Sequence, residues 1–272
     1  MTASDLSAPI GIFDSGFGGL TVARAIADLL PCENLLYLGD TLRAPYGSQS
    51  IAQVRHNTLQ CLDYLKDHNV KALVIACNTG SAAALHDARE RYDIPVIEVI
   101  VPAARKAAAI TRNRQIGVIC TQATARSSSY EDALAACDVT VTTQVCDRFV
   151  PFVEAGITAG DEVMEAARCY LAPMMEAQVD TLILGCTHYP LLSGVISYLM
   201  GPSVTLVSSA DEGARETFAI LTDQGLLNPS TTRGEHHFYT TGNASIFENL
   251  GQRLIADLVE NVRHITLETS SH

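Results

Sequence analysis

Short apolar runs alternate with amphipathic stretches along the chain. The runs read IGIFD (10–14), NLLYLGD (34–40), KALVIAC (71–77), PVIEVI (95–100), QIGVIC (115–120), VTVTTQV (139–145), DTLILGC (180–186) and SVTLVSS (203–209). Their length and β-branched content predict strands. Between them GLTVARAIADLL, SIAQVRHNTLQCLDYLKDH, GSAAALHDARERY and ITAGDEVMEAARCYLAPMMEA carry apolar residues at helical spacing. Continuously apolar strands separated by helices predict an α/β fold with a mostly parallel sheet covered on both faces.

Ligands of such sheets bind beyond the carboxyl ends of the strands. After the first run comes DSGFGG, after the second GDTLRAPYG, after the third CNTGS, after the fifth CTQAT and after the seventh CTHYP. Most of these polar, small and turn-forming segments open a helix, where free backbone N–H groups favour an anion. The pattern predicts a cleft built from loops. LVIACNTGSAAAL and LILGCTHYPLL share an apolar strand, a small residue, a cysteine and a threonine, with the cysteines 109 residues apart. Two similar βα units facing each other are the expectation.

Three thiols stand at strand ends: Cys77, Cys120 and Cys186. Cys120, followed by TQAT, reads as a small apolar filler. Cys77 with Asn78 and Thr79, and Cys186 with Thr187 and His188, have neighbours suited to binding and activation. A helix N-terminus favours the thiolate, so two such thiols make a possible acid and base pair. DSGFGG lacks the spacing of a Walker loop or a dinucleotide fingerprint. Asp14 is placed to receive an ammonium or tune a thiol, and Asp14 or Ser15 can equally cap a helix. APYG (44–47) is a turn whose tyrosine can close a pocket. Glu154 alone is an ordinary charge. His236 and His237, adjacent on an extended chain, point to opposite faces and do not suit one metal ion.

Composition narrows the partners. The 272 residues are 47% hydrophobic with a net charge of −12, and the pI is near 5.0. That field offers no basic patch for nucleic acid. No apolar run approaches the roughly 20 residues that cross a bilayer, and MTASDLSAPIGIFDSG has no signal-peptide pattern, so the expectation is a cytoplasmic protein without a membrane partner. Eight dispersed cysteines, none in a C-x-x-C pair, fit a reducing compartment.

Taken together, IGIFDSGFGGLTV (10–22), YLGDTLRAPYG (37–47), VIACNTGSA (74–82), VPFVEAG (150–156) and LILGCTHYPLL (182–192) resemble glutamate racemase in order and spacing. The resemblance implies a cofactor-independent enzyme that interconverts L- and D-glutamate and supplies the D-isomer for peptidoglycan. It implies Cys77 as the base for D-glutamate and Cys186 as the base for L-glutamate, with Asp14 assisting the first and Glu154 and His188 the second. Substrate contacts carry over to Asp14, Ser15, Tyr46, Gly47, Asn78, Thr79, Thr121, Thr124, Thr187 and His188. The implied fold is two similar α/β domains, 1–99 plus 210–272 and 100–209, with the active site in the cleft between them, and the implied assembly is a homodimer. The family commonly has alanine where this chain has Gly80, and Cys120 is an unusual occupant of its position. The alternatives are an aspartate or hydantoin racemase of the same superfamily, or a small anionic-ligand binding protein.

Overall fold

The computed structural model describes residues 6–255 and 258–267. Its strands are β1 (Ile10–Asp14), β2 (Leu35–Gly39), β3 (Ala72–Ile75), β4 (Val96–Glu98), β5 (Gln115–Cys120), β6 (Thr140–Val145), β7 (Thr181–Gly185), β8 (Thr205–Ser208), β9 (His236–Thr240) and β10 (Arg263–His264). They form two sheets in the orders β10-β9-β2-β1-β3-β4 and β6-β5-β7-β8. Every pairing is parallel. The order β2-β1-β3-β4 in the first sheet has the same arrangement as the whole of the second, so β3 and β7 are equivalent strands. The chain is an α/β protein of two parallel sheets flanked by helices.

Helices cover both faces of each sheet, which is why the strands are apolar without alternation. Ile10 and Ile12 of β1 enter one core while Phe13 enters the core on the opposite face. In β7, Leu182 and Leu184 pack on one side and Ile183 on the other. All are essentially inaccessible to water, and burial of each such side chain stabilises by roughly 1.5–3 kcal/mol. Edge strand β6, rich in threonine, stays partly exposed.

The helices are α1 (Leu20–Leu29), α2 (Ile51–Asp67), α3 (Asn78–Arg91), α4 (Ile100–Ile110), α5 (Gln122–Ser127), α6 (Ser129–Leu134), α7 (Phe149–Glu154), α8 (Asp161–Glu176), α9 (Ser193–Met200), α10 (Ser209–Asp223) and α11 (Ala244–Ile255). The chain leaves the first sheet after β4 through α4 and leaves the second after β8 through α10, which packs on α1 and α4. β4 and β8 end short of their apolar runs where a side chain starts the next helix. The Glu98 carboxylate accepts the N–H groups of Ile100 (2.5 Å) and Val101 (2.8 Å), and Ser208 Oγ accepts that of Asp211 (3.2 Å). Strands β9 and β10 were not among the expected runs. His236, half-buried, and His237, exposed, sit together on β9. No helix among the described residues is long and apolar enough to cross a membrane.

Candidate active site

Loops after β1, β2, β3, β5, β6 and β7 converge on a cavity of about 430 Å³. Its walls include Ser15, Tyr46, Gly47, Cys77, Asn78, Thr79, Thr121, Glu154, Cys186, Thr187 and His188. Two of the expected residues stand behind the wall instead. Asp14 bonds the loop backbone, and Thr124 touches only other hydroxyls within the site.

Cys77 follows β3 and caps α3, its Sγ accepting the Gly80 N–H at 3.3 Å. Its S–H donates to Ser15 Oγ at 3.4 Å. Asp14 Oδ2 accepts the Gly16 N–H at 2.9 Å, while Oδ1 is buried without a hydrogen-bond partner. Burial raises the Asp14 pKa against the opposing charge of His188 and the N–H groups of Gly19, Gly16 and Ser15. Burial first, and the neighbouring Asp14 charge second, push the Cys77 thiol up to about 12 in spite of its Ser15 and Gly80 contacts. Cys77 is therefore held as a thiol at neutral pH.

Cys186 follows β7, the strand equivalent to β3, but it is set up differently. No α-helix begins beside it, contrary to the pattern expected at both thiols. Tyr189–Leu192 form a 3-10 turn, with i→i+3 bonds from Tyr189 N to Cys186 O and from Leu191 N to His188 O, and α9 starts only at Ser193. Pro190 has no N–H with which to bond back along the chain. In place of a helix terminus the thiol has an imidazole. His188 Nδ1 lies 3.8 Å from Cys186 Sγ, and Nε2 lies 3.2 Å from Glu154 Oε1. Burial disfavours charge on this ring, but the hydrogen bonds to Cys186 and Glu154 and the fields of Cys186 and Asp14 outweigh it and raise the pKa to about 10. His188 is thus an imidazolium at neutral pH, held beside the sulfur by Glu154.

The same cavity is lined by the Asn78 amide and the Thr79 and Thr121 hydroxyls. Thr79 Oγ1 is 2.9 Å from Thr121 Oγ1 and 3.2 Å from Thr124 Oγ1, and Thr121 and Thr124 are 3.1 Å apart. The three close a triangle that ties α3 to α5. The buried Tyr46 hydroxyl is committed to Asp40, which also accepts from Arg43 Nε (2.6 Å) and Thr241 Oγ1 (2.7 Å). Tyr46 consequently presents its ring rather than its hydroxyl. Cys120 does not reach the cavity.

The cavity also includes residues not singled out from the sequence: Gln122, Asp147, Val150, Pro151 and Tyr189. Val150 and Pro151 precede Glu154 in VPFVEAG, and Asp147 follows the end of β6, so position relative to a strand end was the available signal. No group of three or more metal-ligating side chains assembles among the described residues.

A model of the Asp/Glu/Hydantoin racemase family matches residues 19–217. A glutamate racemase of Parafrankia sp. (strain EAN1pec) is 57% identical over 250 residues, 91% of each chain. The solved glutamate racemase of Thermus thermophilus, in complex with beta-chloro-D-alanine, matches with a TM-score of 0.89 at 42% identity over 97% of this chain and 98% of that one. The Francisella tularensis glutamate racemase in complex with D-glutamate matches with a TM-score of 0.90 at 32% identity, over 97% and 99%.

Proposed function

Because this chain belongs to the Asp/Glu/Hydantoin racemase family and is an amino-acid racemase, we propose that it interconverts L- and D-glutamate without a cofactor, with Cys77 and Cys186 exchanging the α-proton on opposite faces of the substrate. The observation that supports this most is the pairing of thiols: each follows the equivalent strand of its sheet, and both open on one cavity. A binding protein for small anions would need the loops but not two opposed thiols. The relatives named glutamate racemase favour glutamate over aspartate or a hydantoin.

In the L-to-D direction Cys186, as thiolate, removes the α-proton. The Cα–H bond breaks, and its electron pair passes toward the α-carboxylate. Cys77, as thiol, delivers its proton to the opposite face of Cα and is left as thiolate. The D-to-L direction reverses the two roles. His188, charged and braced by Glu154, stabilises negative charge at Cys186, while Asp14 opposes lasting charge at Cys77. The N–H groups of Asn78 and Thr79, in the first turn of α3, have no acceptor within the helix and suit the substrate carboxylate. Oriented donors in a cavity closed to water are what a carbanion-like state requires. Ser15, Tyr46, Gly47, Thr121 and Thr187 complete the substrate contacts, with Thr124 supporting Thr79 and Thr121. We take the enzyme to be a cytoplasmic homodimer of two domains, 1–99 plus 210–272 and 100–209, that supplies D-glutamate for peptidoglycan.

Circular dichroism of purified protein with L-glutamate, L-aspartate and a hydantoin, no cofactor added and a chelator present, tests the reading. Glutamate alone should lose its optical activity, whereas turnover of aspartate alone overturns the substrate assignment. Cys77→Ala and Cys186→Ala should each cut turnover by about 10³-fold, within the range for loss of an acid or base, with the far-ultraviolet spectrum retained. Full activity in either variant removes the two-thiol mechanism.

A further inference from the structure

A chain of buried hydrogen bonds links the residue after Cys77 to β7, the strand that precedes Cys186. Tyr130 Oη lies 2.6 Å from Asn78 Oδ1, Asn78 Nδ2 lies 3.1 Å from Ser209 Oγ, and Ser209 Oγ donates to the Leu184 carbonyl at 2.9 Å. Ser209 also contacts the Tyr130 hydroxyl, and with its hydrogen on the Leu184 carbonyl it accepts from Asn78. The amide nitrogen must then face Ser209, the amide oxygen must face Tyr130, and Tyr130 must donate. Tyr130, Asn78 and Ser209 are each at least 97% buried, so water does not substitute for a lost partner. Nδ2 keeps one hydrogen that this chain does not use, and Asn78 is on the cavity wall.

The tyrosine ring is itself locked. A β-carbon on Gly185 would stand 2.9 Å from Tyr130 Cε2, so the ring lies directly on the residue preceding Cys186. One side chain therefore touches the chain neighbours of both thiols: its ring meets Gly185 and its hydroxyl meets Asn78.

We propose that Tyr130 and Ser209 are positioning residues that fix the Asn78 amide with a nitrogen-bound hydrogen turned toward the substrate carboxylate, a role that rests on the racemase reading above. Neither residue touches substrate. Without the Tyr130 hydroxyl, the Asn78 oxygen loses its donor and the amide is free to turn, presenting an acceptor to an anion. The ring stays on Gly185, so the thiols keep their places. The loss should fall on substrate binding and leave the proton transfers intact.

The experiment is a kinetic cycle on the full chain with wild type, Y130F, N78A and the double variant, each assayed with L- and D-glutamate. Wild-type turnover of glutamate is measured first, and its absence sinks the functional reading before Tyr130 is in question. Given turnover, Y130F should raise KM about tenfold in both directions, the scale of one hydrogen bond, with kcat changed by less than about threefold. In the N78A background, Y130F should add nothing further, because its effect passes through the amide. An unchanged KM in Y130F, or losses that multiply in the double variant, overturns the proposal. If Y130F does not fold, S209A breaks the same chain at its other end and is held to the same two criteria.

Discussion

Gly18 touches His188 with no side chain between them: a β-carbon on Gly18 would stand 2.4 Å from His188 Nδ1 and 2.2 Å from Thr187 Oγ1. The loop after β1 of one sheet thus seats directly on the loop after β7 of the other. Thr21 Oγ1, in the first turn of α1, donates to the Thr187 carbonyl at 3.0 Å and adds a second contact to the loop after β7. Alanine at position 18 must displace the imidazole from Cys186 or spread the loops. A 1 Å displacement of a catalytic group costs on the order of 10²-fold in rate, and overpacking costs roughly 1–3 kcal/mol. Gly18→Ala should therefore lower kcat by about 10²-fold with a modest fall in the urea midpoint. Lost stability with full kcat would show that the contact serves packing alone.

The charge on His188 gives a pH dependence with a definite sign. Its folded-state pKa, about 10, lies above the ordinary 6.5. Folding thus holds a proton on the ring, and the associated stability is fully present below pH 6.5 and is lost as pH rises through about 10. Glu154 is one of the groups that hold the proton, so Glu154→Gln should lower the imidazole midpoint and narrow that window from its upper end. Nitrogen-detected titration of the imidazole, with urea unfolding at several pH values, checks both. A ring already neutral at pH 8 in the wild type contradicts the arrangement.

The parts of this site legible in the sequence are those that local pattern dictates. Cys77 and Cys186 stand out because a buried strand announces itself by continuous apolar residues, and its carboxyl end is where ligands gather. What pairs with them is set by the fold. Glu154 reads as an ordinary charge until β6 and α7 bring it to His188, 34 residues further on. Thr79 and Thr121 meet only because the two sheets face one another. His236 and His237 read as extended, but HHFYT carries too little apolar pattern to stand among the buried runs, and its place in the sheet comes from its register with β2, where His236 lies opposite Leu35. The helix expected at Cys186 failed for a local reason that was visible, the proline at 190.

Cys120 gives the sharpest contrast between position and role. It ends β5 as Asp14 ends β1, and β5 and β1 hold equivalent places in the two sheets. By that equivalence it would stand to Cys186 as Asp14, whose charge acts on the thiol, stands to Cys77. Its surroundings argue otherwise. Cys120 is fully buried among Ile100, Ala103, Tyr130 and Ile183, on the face of the sheet opposite the core that includes Cys186. Burial above all, then the charges of Glu131 and Cys186, push its thiol up to about 12, so it is neutral and sealed from substrate. The groups that stand beside Cys186 are His188 and, through it, Glu154. Cys120→Ala should keep kcat/KM within about threefold while losing roughly 1–2 kcal/mol, the scale of a small core truncation. Circular-dichroism kinetics and urea unfolding of the same sample measure both. A tenfold or greater loss of kcat at unchanged stability would make Cys120 a participant in the proton transfer.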